Sequence, residues 1–152
     1  MNPLSIYQDA LNVVSDAVIA GDFARYAAQI DLPYLVHTET ARLLVSTVDD
    51  LRPTFDALHL TLLDKGVTHY ERVARAADYV DRDRIEGWHH THLISHGERL
   101  NLPHSSRHAL VRRDGMWLFS EAHYAIQAER WPVTREVLEA QFGLTRREGL
   151  SA

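Results

Sequence analysis

At 152 residues the chain has the length of one domain and can bury a real core without covalent staples. Cysteine is absent, which excludes disulfides, thiolate-bound metals and cysteine nucleophiles and fits a reducing cytoplasm. A formal charge of −5 with scattered Arg and Lys disfavours nucleic acid as a partner. The lack of a signal-like N-terminus and of any membrane-length apolar run disfavours export and membrane insertion.

Asn2-Pro3 opens a first helix, because Asn accepts from unpaired amides and Pro lacks only an amide that has no partner there. Leu4, Tyr7, Leu11, Val14 and Val18 recur at helical spacing, and Gly21 ends the run. Asp22 caps a short second helix, Phe23 to about Ile30, which Pro33 stops. Tyr34 to Thr38 and Ala41 to Ser46 read as a small hairpin of large and β-branched residues. A third helix, about Leu51 to Lys65, puts Leu51, Phe55, Leu58 and Leu62 on one face. Pro53 belongs in its first turn, which favours Asp49 or Asp50 over Thr47 as the cap, and Gly66 closes it.

Thr68 to Asp81 is ambiguous on its residues alone, since its alanines and arginines favour a helix. Three strands follow: Arg84 to His96, His104 to Arg113 and Met116 to Ile126. The last two meet at Asp114-Gly115, a pair that tolerates the positive φ of a tight hairpin turn. After Trp131-Pro132, Thr134 to Phe142 reads as a capped helix ended by Gly143, before a frayed tail. No repeat or linker marks a second domain.

The order of these elements, together with the basic–Asp–Gly–x–Trp hairpin from Arg112 to Trp117 and the bend-permitting Gly87, resembles the nuclear transport factor 2-like superfamily. Ketosteroid isomerase, scytalone dehydratase and the SnoaL-like polyketide cyclases belong to it. The likeness covers roughly Leu4 to Ile126. It implies an α+β fold in which a curved antiparallel sheet wraps around N-terminal helices into a cone, the cystatin-like roll, and it turns Thr68 to Asp81 into a strand. It also implies a small-molecule pocket at the open end and a homodimer through the outer sheet face. The strand from Arg84 agrees: thirteen residues span about 43 Å, too long to stay flat in a small domain, and Gly87 is a natural place to bend.

Seven of the ten histidines lie between Arg84 and Ile126. Alternation puts Trp88, His90, His92, Ile94 and His96 on one face, against Ile85, His89, Thr91 and Leu93. On the last strand it puts Trp117, Phe119, Glu121 and His123 opposite Met116, Leu118, Ser120, Ala122 and Tyr124. Parity does not say which face is inward. The sharper expectation gathers His92, His123 and Glu121 as acid–base groups, with Tyr34, Trp88, His90 and His108 as ligand contacts. A carboxylate beside an imidazole raises its pKa and orients it, which suits proton abstraction next to a carbonyl, dehydration or cyclisation without a cofactor. Outward placement of both His92 and His123 removes that assignment.

Two other readings stay open. The same residues can be polar sheet-surface groups of a non-catalytic binding or dimerisation module. Alternatively, His90 and His92 with His108 or Glu121 can hold zinc or nickel, although no HExxH occurs. No position matches a subfamily's catalytic motif, no GxSxG or phosphate loop is present, and Tyr7, Tyr26, Phe55, Trp88 and Trp117 are expected in the core. Arg112-Arg113 and Arg146-Arg147 read as solvated charges. Protonating all ten histidines carries the formal charge from −5 to +5, so a solubility minimum is expected in mildly acidic solution.

Overall fold

The computed structural model describes residues 2–144. Helix α1 (Pro3–Ala20) starts where Asn2 Oδ1 accepts from the Leu4 amide, and it stops at Gly21, whose φ of +70° suits a residue without a side chain. Its buried stripe, including Tyr7, Leu11, Val14 and Val18, is the spine of the core. Helix α2 (Phe23–Ala28) is shorter than its sequence suggests, because strand β1 (Ile30–His37) begins almost at once. The Gln29 carbonyl accepts from the Phe119 amide and the Gln29 side chain donates to the Trp117 carbonyl, so sheet pairing takes over from the helix. Pro33 therefore lies inside a strand, in the stretch between Ile30 and Leu35 where the ladder to the neighbouring strand is irregular and no amide is demanded of it.

Strand β2 (Arg42–Val45) completes the small hairpin. Helix α3 (Arg52–Asp64) is preceded by a 3-10 turn over Asp49–Leu51. The capping expectation is corrected here: Thr47 Oγ1 accepts from the Asp50 amide, and neither Asp49 nor Asp50 caps the helix with its side chain. The ambiguous segment is strand β3 (His69–Asp81), paired along its whole length with β4 (Arg84–Ser95). A two-residue strand β5 (Glu98–Arg99) folds back on β4, an element not foreseen from the sequence. Strands β6 (Ser105–Arg113) and β7 (Met116–His123) form the hairpin turning at Asp114 and Gly115, both at positive φ, and β7 ends before the expected Ile126.

The strands lie in the order β2-β1-β7-β6-β4-β3. All pairs are antiparallel except β1 with β7, which run parallel because helices α1 and α2 precede β1 and deliver it from the same end. Extra residues at Arg75 and Val80 in β3 and at Ser120 in β7 bend this sheet around α1. Gly87 marks the tightest approach of helix to sheet: a Cβ there would lie 2.9 Å from the Ala76 carbonyl oxygen and 3.0 Å from the Tyr7 ring. Helix α4 (Arg135–Phe142), capped by Thr134 and ended at Gly143, buries Val137, Leu138 and Phe142 over the open end of the cone. Ion pairs from Lys65 to Glu139 and from Arg135 to Asp64 tie it to the α3 region.

The described residues thus form one sheet around one core. Tyr7, Tyr26 and Phe55 sit in that core as expected; Trp117 is half-buried, and Trp88, 39% exposed, stands outside it. Arg112 and Arg113 are exposed but not merely solvated, since they pair with Asp83 and Asp31. Arg146-Arg147 and the tail expected to fray lie outside the described residues. Among the described residues no helix is long and apolar enough to cross a membrane.

Candidate functional site

The register of the sheet settles the parity left open by sequence. Tyr70, Arg72 and Ala74 of β3 stand opposite Leu93, Thr91 and His89 of β4, and His89 and Gly87 stand opposite Ser106 and His108 of β6. All of these face α1. Cross-strand partners share a face, so Trp88, His90 and His92, which pair with Arg107, Val73 or Ser105, and Glu71, face outward. On β7 the extra residue at Ser120 breaks the alternation: Phe119 and Ala122 point inward while Glu121 and His123 lie on the outer side.

A cavity of about 80 Å³ occupies the cone between α1, the inner sheet face and α4. Its polar lining comes from Tyr26, Tyr34, Tyr70, Tyr124, Arg72 and the histidines 89, 104, 108 and 123; its apolar wall includes Val14, Leu58, Phe119, Leu138 and Phe142. His104, Ser106, His123, Tyr124 and Gln141 also line an open vestibule of about 630 Å³, which makes them the mouth. Tyr34 and His108 line the cavity, and His123 reaches only its mouth. Trp88, His90 and His92 are carried by the strand's parity to the other side of the sheet, where Trp88 borders the vestibule, and the bulge turns Glu121 and His123 outward. With His92 and His123 both outward, the acid–base assignment of His92, His123 and Glu121 is removed.

One buried imidazole, His89, and one half-buried one, His108, form the centre. Tyr7, 0% exposed, places its hydroxyl 2.7 Å from His89 Nδ1, which is possible because Gly87 lets the Tyr7 ring lie against the strand. His108 Nδ1 lies 3.3 Å from the Glu121 carbonyl oxygen, and the His89 and His108 rings stack at 5.2 Å, 2° from parallel. A carbonyl oxygen only accepts, so His108 donates from Nδ1 and its Nε2 keeps a lone pair. Burial, then the charges of His108 and Arg72, drive His89 far below its ordinary range. Burial and then Arg72 push His108 down to about 3. Both rings are therefore neutral at physiological pH. Burial also lowers His104, whose Nε2 lies 3.2 Å from the Ser106 hydroxyl.

At the rim, Glu121 receives a 2.6 Å hydrogen bond from Arg84 and lies 3.6 Å from His37, whose ring stacks at 4.3 Å on His123. Burial raises the Glu121 carboxyl, but Arg84 and His37 outweigh it and hold it below the usual carboxylate range. Desolvation and the neighbouring His37 lower His123. The imidazole beside the carboxylate is thus His37, which the sequence did not single out, and the pair borders the mouth rather than the cavity floor. Among the described residues no group of three His, Asp or Glu converges as metal ligands, and His90 and His92 are separated from His108 by the sheet itself.

His89, Arg72 and Tyr70 were not anticipated as site residues. The signal for His89 lay in its parity companions, since Ile85, Thr91 and Leu93 form the more apolar face of that strand. Arg72 had no such signal while its segment stayed ambiguous between helix and strand.

No family model matches the sequence, and no curated protein matches it. Solved structures do match in shape. A nuclear transport factor 2-like protein of unknown function from Shewanella oneidensis superposes with a TM-score of 0.58 at 12% identity, over 80% of this chain and 98% of its own. A cystatin-like protein of unknown function from Nostoc punctiforme gives 0.58 at 12% identity, over 84% and 90%. A protein from Novosphingobium aromaticivorans, provisionally named a scytalone dehydratase, gives 0.55 at 13% identity, over 82% and 89%.

Proposed function

We propose that this chain, which has the nuclear transport factor 2-like fold, is a small-molecule pocket protein whose cone acts as a cofactor-independent acid–base site on a small carbonyl compound. The observation that carries this reading is the fixed tautomer of His108: its Nδ1 is committed to the Glu121 carbonyl, which leaves Nε2 as a base on a ring that lines the cavity. His89 complements it. With the Tyr7 hydroxyl, 2.7 Å away, as the donor to His89 Nδ1, His89 Nε2 is a neutral N–H donor.

One acceptor imidazole stacked on one donor imidazole can take a proton from a carbon next to a carbonyl while hydrogen-bonding the oxygen on which charge develops. Isomerisation, dehydration and cyclisation all begin with that step. Burial and the Arg72 charge make His108 a weak base, and a negative charge developing on a substrate opposes the second of these. His123 and Glu121, at the mouth, border the path of entry.

The test is exchange of α-protons for deuterium in small ketones and oxo acids, followed by NMR. His108→Gln, which keeps a polar side chain but no base, is expected to slow exchange at least ~100-fold. Binding without any exchange in the native protein would leave a ligand-binding module instead. The reading includes a homodimer across the outer sheet face, where Val73 and Trp88 stand exposed; light scattering should show a dimer that Trp88→Glu dissociates.

A further inference from the structure

Among the described residues Arg72 is the only guanidinium in the cavity lining, it is 8% exposed, and no carboxylate of those residues pairs with it. Helix α1 fixes its position. Nε donates to Ser15 Oγ at 2.9 Å and one terminal nitrogen donates to the Leu11 carbonyl at 3.1 Å. The Gln8 side chain meanwhile donates to the Arg72 carbonyl and accepts from the Ala74 amide, pinning the strand next to the bulge. The guanidinium lies over the Tyr70 ring, 5.1 Å from its centroid, and among the described residues no hydrogen bond is seen from its second terminal nitrogen. Taking a charge out of water without a counter-charge is costly, and a chain that does so and then holds the group rigid has prepared a place for one.

The acidic groups nearest in the sheet do not serve. Glu121 is turned outward and taken by Arg84 and His37, and Glu71 pairs across from His92 on the outer face. Among the described residues the cavity lining contains no Asp or Glu. A second, independent feature points the same way: Thr54 Oγ1, fully buried on the cavity wall, has no hydrogen-bond partner. Tyr26, Tyr34 and Tyr124 remain protonated, because burial raises all three, Tyr26 to about 12, so they too offer O–H donors. The cavity thus presents one fixed cation and a surround of donors.

We infer that the ligand is a small carboxylic acid whose carboxylate seats on Arg72, with Thr54 and the cavity tyrosines as further donors and its short apolar body against Val14, Leu58 and Phe119. A planar single charge matches the guanidinium fork, whereas a phosphate dianion would leave half its charge buried without a partner. A cavity of about 80 Å³ holds only a few heavy atoms, and a longer ligand extends toward the vestibule. This inference rests on reading the cone as a small-molecule site and names the class of compound it takes.

The experiment is calorimetric titration of the full chain with two isosteric pairs, butyrate against butyramide and benzoate against benzamide. The acids are expected to bind at least ~10-fold more tightly than the amides, Arg72→Gln to abolish that preference, and Thr54→Val to weaken acid binding several-fold. The native protein's preference requires no variant, so a poorly folded Arg72→Gln does not rescue the idea. Equal binding of acid and amide, binding of neither, or binding of inorganic phosphate in place of the acids overturns it. Loss of the acid preference with α-proton exchange intact defeats this inference alone; acid preference without exchange defeats only the catalytic reading.

Discussion

His89 and His90 adjoin along the same strand, yet one has its ring held between Tyr7 and His108 while the other stands edge-on to Trp88 on the far side of the sheet. The same division runs through the whole carboxy-terminal half: His108 and Arg72 inside, His92, Glu121 and Trp88 outside. On the inner face a polar side chain persists only where another group answers its hydrogen-bonding capacity or where a ligand does. On the outer face water answers it, and residue type carries little information about role.

The difference can be broken from several directions. The largest effect expected is acid destabilisation. The folded pKa values of His89 and His108 lie below the unfolded value near 6.5, so the unfolded chain binds more protons as pH falls. Their contribution to stability is complete above about pH 6.5 and is lost as pH drops toward 3, at about 1.4 kcal/mol per pH unit for each ring. Urea unfolding followed from pH 7 to pH 4 should show this slope, and His108→Gln should shallow it; stability that stays level over that range contradicts the neutral, buried pair. A smaller loss, about 2–3 kcal/mol, is expected from Gly87→Val, because the added side chain meets the Ala76 carbonyl and the Tyr7 ring and pushes the helix off the sheet.

Tyr7→Phe isolates the hydrogen bond from the packing. It removes the hydroxyl that is hydrogen-bonded to His89 Nδ1 while keeping the ring, and should cost about 1–3 kcal/mol in denaturant titration with unchanged cooperativity. The smallest effect belongs to the outer face: His92→Ala should move stability by less than ~0.5 kcal/mol and leave acid binding and α-proton exchange unaltered. A large loss of activity from His92→Ala would reverse the assignment of the two faces.

Much of the architecture was legible in the chain. Asn2-Pro3 and Gly21 bound the first helix because caps act within a few residues, and Asp114-Gly115 made its hairpin for the same local reason. The strand from His69 to Asp81 was not legible locally. Its alanines and arginines suit a helix, and only pairing with β4 along its length overrides that preference, so the strand followed from the resemblance and not from the residues. The capping error at Thr47 has a similar origin: a 3-10 turn, which local propensity does not announce, displaced the helix start. Of the expected site, Tyr34 and His108 do line the cavity, whereas a single extra residue at Ser120 inverts the side chains beyond it and turns both Glu121 and His123 to the outer side.

By itself the sequence determined the run of elements, the alternation along each strand and the wealth of histidine in the final sheet, since these depend on neighbours within a turn or a strand. Which alternate set faces inward was decided only by the tertiary structure. Inward is defined by where α1 lies, by the bulges in β3 and β7 and by the close approach at Gly87, and those are relations between residues as much as eighty positions apart. The unpaired charge of Arg72 belongs to the same class, because whether a charged side chain has a partner is a property of the assembled interior and not of the residues beside it in the chain.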